Sequence, residues 1–281
     1  MTISELKNQY TLKLSSLYPS EETLSFFYLL AQAHLNMSKI DIALNYNHIL
    51  NENNLVYFQN ALTQLKKEIP IQYIIGNTEF YGLQFKVNEN VLIPRPETEE
   101  LVDWILNSVN KNEKIKILDI GTGSGCIAIS LAKHLPNAEV FAIDVSEKAL
   151  KTAKTNAETN KVTVNFLETN ILETSSLNNF FNVIVSNPPY VREQEKQEIK
   201  PNVLENEPHL ALFVEDNDAL IFYNKIADLA KNSLLKNGLL FFEINQYLGN
   251  ETVELIQNKN FKNIELKKDF YRNDRMIKAS I

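Results

Sequence analysis

Apolar residues in the first seventy positions recur every third or fourth residue. Leu6, Tyr10, Leu14 and Leu17 form one stripe, Leu24, Phe27, Tyr28, Ala31 and Leu35 a second, and Leu55, Phe58, Leu62 and Leu65 a third. This spacing predicts amphipathic helices and no strands. Ser20 followed by Glu21 and Glu22 predicts an N-cap with acids in the first turn. Ser38 and Asp41 have the spacing of a capping box, and Pro70 closes the last helix. From 71 the pattern shortens. Thr78–Tyr81, Gly82 and Leu83–Val87 read as a β-hairpin or bent ribbon. The expected organisation is a helical bundle over 1–70, a linking hairpin over 71–93 and a larger domain over 94–281.

The larger domain alternates. Strands are expected over 115–120, 140–145, 162–166, 182–186, 239–244, 261–266 and 276–279. Helices are expected over 124–134, 146–159 and 218–235, with another starting near Asn250. Alternation of this kind predicts a parallel sheet with right-handed crossovers and helices on both faces. Pro94-Arg95-Pro96 forbids regular structure ahead of a helix bearing Leu101, Trp104 and Ile105. That stiff loop, with Arg95, Glu97 and Glu99, either lines a pocket or carries solvated charge. Residues 191–215 form a long polar connection, of a length usually tied to function.

Composition narrows the classes. The net charge is −7, which argues against a protein bound mainly by phosphate neutralisation. One cysteine, Cys126, excludes an internal disulfide, and His34, His48, His134 and His209 show no ligand spacing, so no metal site is expected. No apolar run resembles a signal peptide or a membrane span, so a cytoplasmic protein is expected. Glycine is scarce at seven residues, yet three of them are Gly121, Gly123 and Gly125.

Those glycines sit in Asp119-Ile120-Gly121-Thr122-Gly123-Ser124-Gly125, between a predicted strand and a predicted helix. Glycine lets a ligand approach the backbone, and a helix start offers free N–H groups. Asp144 ends the next strand, where an acid can take both hydroxyls of a ribose. No Walker lysine follows, which argues against phosphate transfer from ATP. After the strand over 182–186 comes Asn187-Pro188-Pro189-Tyr190. Two prolines cannot donate to a ladder, so Asn187 is held on a stiff loop at a strand's carboxyl end. The set suits a nucleoside-bearing cofactor with its reactive end beside Asn187.

Asp119–Gly125, Asp144 and Asn187–Tyr190 resemble the S-adenosylmethionine site of class I methyltransferases. Pro70–Gly76, Phe80–Val87 and Leu92–Glu99, with Glu207-Pro208, Glu243-Ile244, Asp269 and Arg275, further resemble the PrmC/HemK family. The resemblance implies a Rossmann-like α/β methyltransferase sheet and a smaller N-terminal helical bundle joined to it by a β-hairpin. It implies transfer of a methyl group from S-adenosyl-L-methionine to the amide nitrogen of the glutamine in the GGQ motif of class I peptide chain release factors. Carried over residue by residue, it places Gly121, Thr122, Gly123, Ser124, Gly125, Asp144, Ile171 and Asn187 at the cofactor. Asn187, Pro188 and Tyr190 are the catalytic group, and Pro189 and Arg95 join them in holding substrate. The adenine contact falls among Asn170, Ile171 and Leu172, where the family often has Asp plus a bulky apolar residue. Val214-Glu215-Asp216-Asn217 replaces a usual glycine pair. The bundle over 1–70 is expected to recognise the release factor, with no stable nucleic-acid or membrane partner, in a monomer. Two other readings stand: a nucleic-acid amino methyltransferase using the same Asn-Pro-Pro-Tyr geometry, and a non-catalytic adenosylmethionine-binding protein.

Overall fold

The computed structural model describes all residues, Met1–Ile281. Its contacts divide the chain into two units, Met1–Gly76 with Pro201–Asn206, and Asn77–Lys200 with Glu207–Ile281.

The first unit is built from α1 (Ile3–Leu14), α2 (Ser20–Leu35), α3 (Lys39–Leu44), α4 (Glu52–Leu65) and α5 (Ile71–Ile75). Thr2 and Glu5 close a capping box on α1, and Ser38 and Asp41 close the expected one on α3. Leu6, Tyr10, Leu14, Phe58, Leu62 and Leu65 are buried as their spacing predicts. The buried Tyr10 hydroxyl donates to the Phe58 carbonyl at 2.6 Å, which removes the cost of an unpaired phenol. Three expectations fail. Leu17 lies beyond the end of α1 and is exposed. Pro19 rather than Ser20 occupies the N-cap of α2, whose buried face runs through Thr23, Phe26, Phe27, Leu30 and Ala31. Pro70 does not lead into a ribbon, because it caps α5 and Ile71 is buried in the helical core. A proline's fixed φ suits the start of a helix as well as the end of one.

In the second unit β1 (Asn77–Phe80) and β2 (Leu83–Lys86) form the antiparallel hairpin around Tyr81-Gly82. Then come α6 (Pro96–Ser108), β3 (Lys116–Ile120), α7 (Cys126–His134), β4 (Glu139–Asp144), α8 (Glu147–Asn160), β5 (Asn165–Glu168) and β6 (Phe181–Ser186). The polar connection is not structureless. It contains β7 (Val191–Arg192), a 3-10 turn over Glu193–Glu198, α9 (Pro201–Asn206) and β8 (Phe213–Val214). The chain closes with α10 (Ile221–Ser233), β9 (Leu234–Glu243), α11 (Gly249–Asn258), β10 (Lys262–Lys268) and β11 (Asp274–Ser280).

Seven strands form one sheet in the order β10-β11-β9-β6-β3-β4-β5. The all-parallel expectation fails at β11, which runs antiparallel to both β10 and β9. Residues 269–273 are too few for the crossover that parallel neighbours need. The β10–β11 pairing carries two register shifts, between Lys262 and Glu265 and between Lys267 and Lys268. The edge strand β5 starts three residues later than Val162 suggests, in register with β4 from Phe141 opposite Asn165. Side chains alternate between faces. Ile117, Val183, Val185 and Phe241 meet α6 and α7 on one face. Leu118, Ile184, Leu240 and Phe242 meet α10 and α11 on the other.

Asn156 of α8 is fully buried and fastens the hairpin beside the glycine loop. Its Oδ1 accepts the Lys86 N–H at 2.7 Å, and its Nδ2 donates to the Lys86 carbonyl at 3.0 Å and the Ser124 carbonyl at 2.9 Å. Asn156→Leu keeps the volume and strips these bonds. We expect a loss on the order of 2–4 kcal/mol, from buried backbone groups left unpaired at about 1–3 kcal/mol each. Urea unfolding followed by circular dichroism measures it, and an unchanged midpoint would refute this role.

Candidate active site

The strand order reverses at β3, which has β4 on one side and β6 on the other. Open α/β sheets bind ligands at the carboxyl ends of such strands. A cavity of about 260 Å³ opens there. Gly121 and Gly123 from the loop after β3, Asp144 at the end of β4, and Asn187, Pro188 and Pro189 after β6 all line it.

The glycine loop works differently from the expected N–H cradle. The Gly121 and Thr122 N–H groups donate to the Ile143 carbonyl at 2.9 and 3.0 Å, and Gly125 N–H to the Thr122 carbonyl at 2.8 Å. Gly123 N–H donates to Asp144 Oδ2 at 2.8 Å. The loop therefore gives the cavity room more than donors. At Gly123, φ is +55° and the position of a Cβ meets open space. Gly125 serves packing, since a Cβ there would stand 2.8 Å from Ile129 Cδ1. Thr122, Ser124 and Gly125 are not at the cavity wall. The Thr122 hydroxyl donates to Asp119 Oδ2 at 2.6 Å, and Ser124 is buried.

Asp144 accepts Ser146 N–H through Oδ1 at 2.9 Å in addition to Gly123 N–H through Oδ2. Each oxygen keeps a free lone pair, so the carboxylate can accept two further hydroxyls. Burial raises its pKa, against the backbone bonds from Ser146 and Gly123. Ile143 and Val145 flank it, and Asn170, Ile171 and Leu172 all line the same cavity. A diol acceptor between apolar walls, beside a glycine loop without side chains, fits the adenosine half of S-adenosyl-L-methionine.

Asn187 is held from behind. Its Nδ2 donates to Thr98 Oγ at 3.4 Å, and the Thr98 hydroxyl donates to Glu243 Oε2 at 2.6 Å. The Tyr190 hydroxyl donates to the other carboxylate oxygen, Oε1, at 3.3 Å. Thr98 and Glu243 are both about 2 % exposed. Burial raises the Glu243 pKa, against the Thr98 bond and the charge of Arg275. The Tyr190 ring packs with the apolar layer under α10 rather than at the cavity wall. Its carbonyl accepts the Asn245 Nδ2 at 2.8 Å, which also reaches Glu195 Oε2 at 2.8 Å. Arg95 likewise stands off the cavity. It pairs with Glu207 at 2.5 Å, whose other oxygen accepts the Ile93 N–H at 3.1 Å, so it braces the Pro94–Pro96 loop. Burial pushes the Cys126 thiol up to about 12, which keeps it protonated at neutral pH.

Thr98 and Glu243 are the residues whose part the pattern did not disclose. A signal existed for Glu243. It ends a strand whose preceding residues, Leu239–Phe242, are all apolar, and a carboxylate in such surroundings requires buried partners.

No helix is long and apolar enough to cross a membrane. Residues 5–76 match the family described as PrmC N-terminal domain, and residues 100–210 match the methyltransferase small domain. A protein of Flavobacterium psychrophilum named release factor glutamine methyltransferase is 57% identical over 283 residues, covering 100% of this chain and 99% of its own. One of the same name from Bacteroides thetaiotaomicron is 42% identical over 268 residues, covering 95% and 96%. Among solved structures, the T. thermophilus 16S rRNA N2 G1207 methyltransferase, in complex with AdoMet and guanosine, has a TM-score of 0.53. It is 18% identical over 73% of this chain and 49% of that one, a likeness of fold alone.

Asp119 gives the site a pH signature. Burial pushes its carboxyl up to about 7, against the bonds from Thr122 and Ala128, and its Oδ1 has no partner. The folded state thus binds a proton that the unfolded chain, with an aspartate pKa of about 3.9, releases. This contribution is full below about pH 4 and is lost as pH rises to about 7. Between about pH 5 and 7 the urea midpoint of the ligand-free protein should fall more steeply than that of Asp119→Asn. Parallel slopes would show that Asp119 is ionised throughout.

Proposed function

The chain belongs to the release factor glutamine methyltransferase family, and on that premise we propose that Asn187 and Pro188 hold the amide that is methylated. The protein is an S-adenosyl-L-methionine-dependent methyltransferase acting on a glutamine of release factors. We assign that glutamine to the GGQ motif of class I factors. The observation that carries the assignment of roles is the position of Asn187 and Pro188 on the cavity wall shared with Asp144 and Gly123.

When bound, S-adenosyl-L-methionine supplies a methyl group already activated on a sulfonium. The protein's task is then placement, which can contribute roughly 7–11 kcal/mol. Asp144 would accept the ribose hydroxyls, Gly121 and Gly123 would leave room beside them, and Ile171 would pack against the adenine. An amide nitrogen is a weak nucleophile because its lone pair is delocalised into the carbonyl. Asn187 Oδ1 and the Pro188 carbonyl accept its two N–H bonds, aim the nitrogen at the methyl group and stabilise positive charge as it develops. Proline's fixed φ keeps that second carbonyl in place. No base is needed before transfer, since the product can lose its proton afterwards. Tyr190 and Arg95 serve by bracing the loops around the substrate.

We assign the helical unit to recognition of the release factor body. Ile40 and Leu44 on α3 are 71% and 79% exposed, which supports a partner on that face. We further infer a cytoplasmic monomer without a stable nucleic-acid or membrane partner, in keeping with its charge of −7.

Asn187→Ala leaves both prolines and β6 intact. It should lower the single-turnover rate on release factor by about 10²–10³-fold, with cofactor affinity from calorimetry little changed. Near wild-type transfer would place the catalytic centre on another loop, and transfer to RNA or DNA in place of release factor would overturn the substrate. Asp144→Ala should instead weaken cofactor binding, by roughly ten- to a hundredfold for the loss of charge-assisted bonds. Ile40→Glu with Leu44→Glu should raise KM for intact release factor and leave a short GGQ peptide unaffected. An equal change for both substrates would remove the recognition role.

A further inference from the structure

An asparagine amide has two faces of similar shape and opposite polarity. Only one of them, the oxygen, can accept an N–H from a substrate amide. The Thr98 hydroxyl has a single proton, and that proton is directed to Glu243 Oε2 at 2.6 Å. Thr98 Oγ is left with lone pairs only, so it can face the Asn187 NH2, as it does at 3.4 Å, and not the Asn187 oxygen. Turning the amide over would set two oxygens against each other with no proton between them.

We propose that Glu243, acting through the Thr98 hydroxyl, determines which face of the Asn187 amide is presented to the cavity. The proposal rests on the reading of Asn187 as the acceptor for the substrate amide. Glu243 is a positioning residue here, since Thr98 stands between it and Asn187. The carboxylate is well suited to this. Its other oxygen is held separately by the Tyr190 hydroxyl at 3.3 Å, and its backbone carbonyl accepts the Tyr223 hydroxyl at 3.1 Å. It cannot turn to release Thr98 without breaking the bond to Tyr190. The same four residues thereby link the two ends of the Asn-Pro-Pro-Tyr loop, Asn187 and Tyr190, to one buried carboxylate.

The polarity of this relay makes it testable by a cycle rather than by simple loss. Asn187→Asp places a second carboxylate on Thr98, and two acceptors then compete for one hydroxyl proton. Adding Glu243→Gln relieves that conflict. The introduced amide donates to Thr98 Oγ, and the freed hydroxyl donates to the new carboxylate, whose outer oxygen still faces the cavity. Single-turnover rates on release factor should therefore show the double variant at least about tenfold faster than the product of the two single effects allows. Thr98→Val keeps the shape and removes the relay, and should slow transfer about tenfold or more with cofactor affinity unchanged. Thr98→Ser should restore most of the rate. Cofactor affinity, measured for every variant, reports that the site is folded. Additive effects in the cycle, or wild-type transfer by Thr98→Val, would overturn the proposal. Neither outcome touches the reading of Asn187 itself, which stands or falls on Asn187→Ala.

Discussion

Pro188 and Pro189 have no N–H to give, and much of the site follows from that. The β6 ladder ends at Ser186, whose hydroxyl donates to the Ile120 carbonyl at 2.7 Å and so holds the ends of β3 and β6 side by side. The first backbone donors after the prolines, Tyr190 and Val191, both reach the Leu212 carbonyl, at 3.2 and 2.9 Å. The polar excursion between them must therefore come back to its own starting point, which the pairing of β7 with β8 accomplishes. Asn245 secures the Tyr190 carbonyl from the other side. A loop that has lost its own donors is thus held by neighbours on three sides, and Asn187 gains a fixed position without belonging to any strand.

Glu243 is hard to explain by stability. Removing a carboxylate from water costs several kcal/mol even after relaxation. Hydrogen bonds to a charged group contribute about 1.5–3 kcal/mol each. Two hydroxyl bonds and the charge of Arg275 do not fully offset the desolvation, because the pKa of Glu243 stays raised. An apolar residue at the end of β9 would pack as well. What the carboxylate supplies and an apolar side chain cannot is a direction for the protons around it.

Periodicity carried most of the architecture, because the helical stripes and the alternation of strand and helix reflect burial along one segment at a time. It misled where one local signal serves two structures. Pro70 is both a stop and a start, so the pattern over 71–75 suggests ribbon where α5 forms. Val162 and Val164 are apolar, but the register of β5 is set by β4. The direction of β11 depends on how few residues precede it. The glycine motif located the cavity correctly, while its mode of action was invisible: three of its N–H groups bond within the turn or to Ile143 and one bonds to Asp144. The Thr98–Glu243 bond joins positions 145 apart, and no local spacing can bring such a pair together.

The two outermost strands have a consequence for the protein in a crowded solution. An unpaired strand edge is a template on which another chain can add. At one end of this sheet β10 reads Lys262-Asn263-Ile264-Glu265-Leu266-Lys267-Lys268 and its pairing is broken twice by register shifts. Charge and a kinked edge both discourage a newcomer. At the other end β5 has only four residues, Asn165–Glu168, and presents too short a row of groups for stable addition. The sheet is thereby guarded against edge-to-edge aggregation by different means at its two margins, and its central strands remain internal.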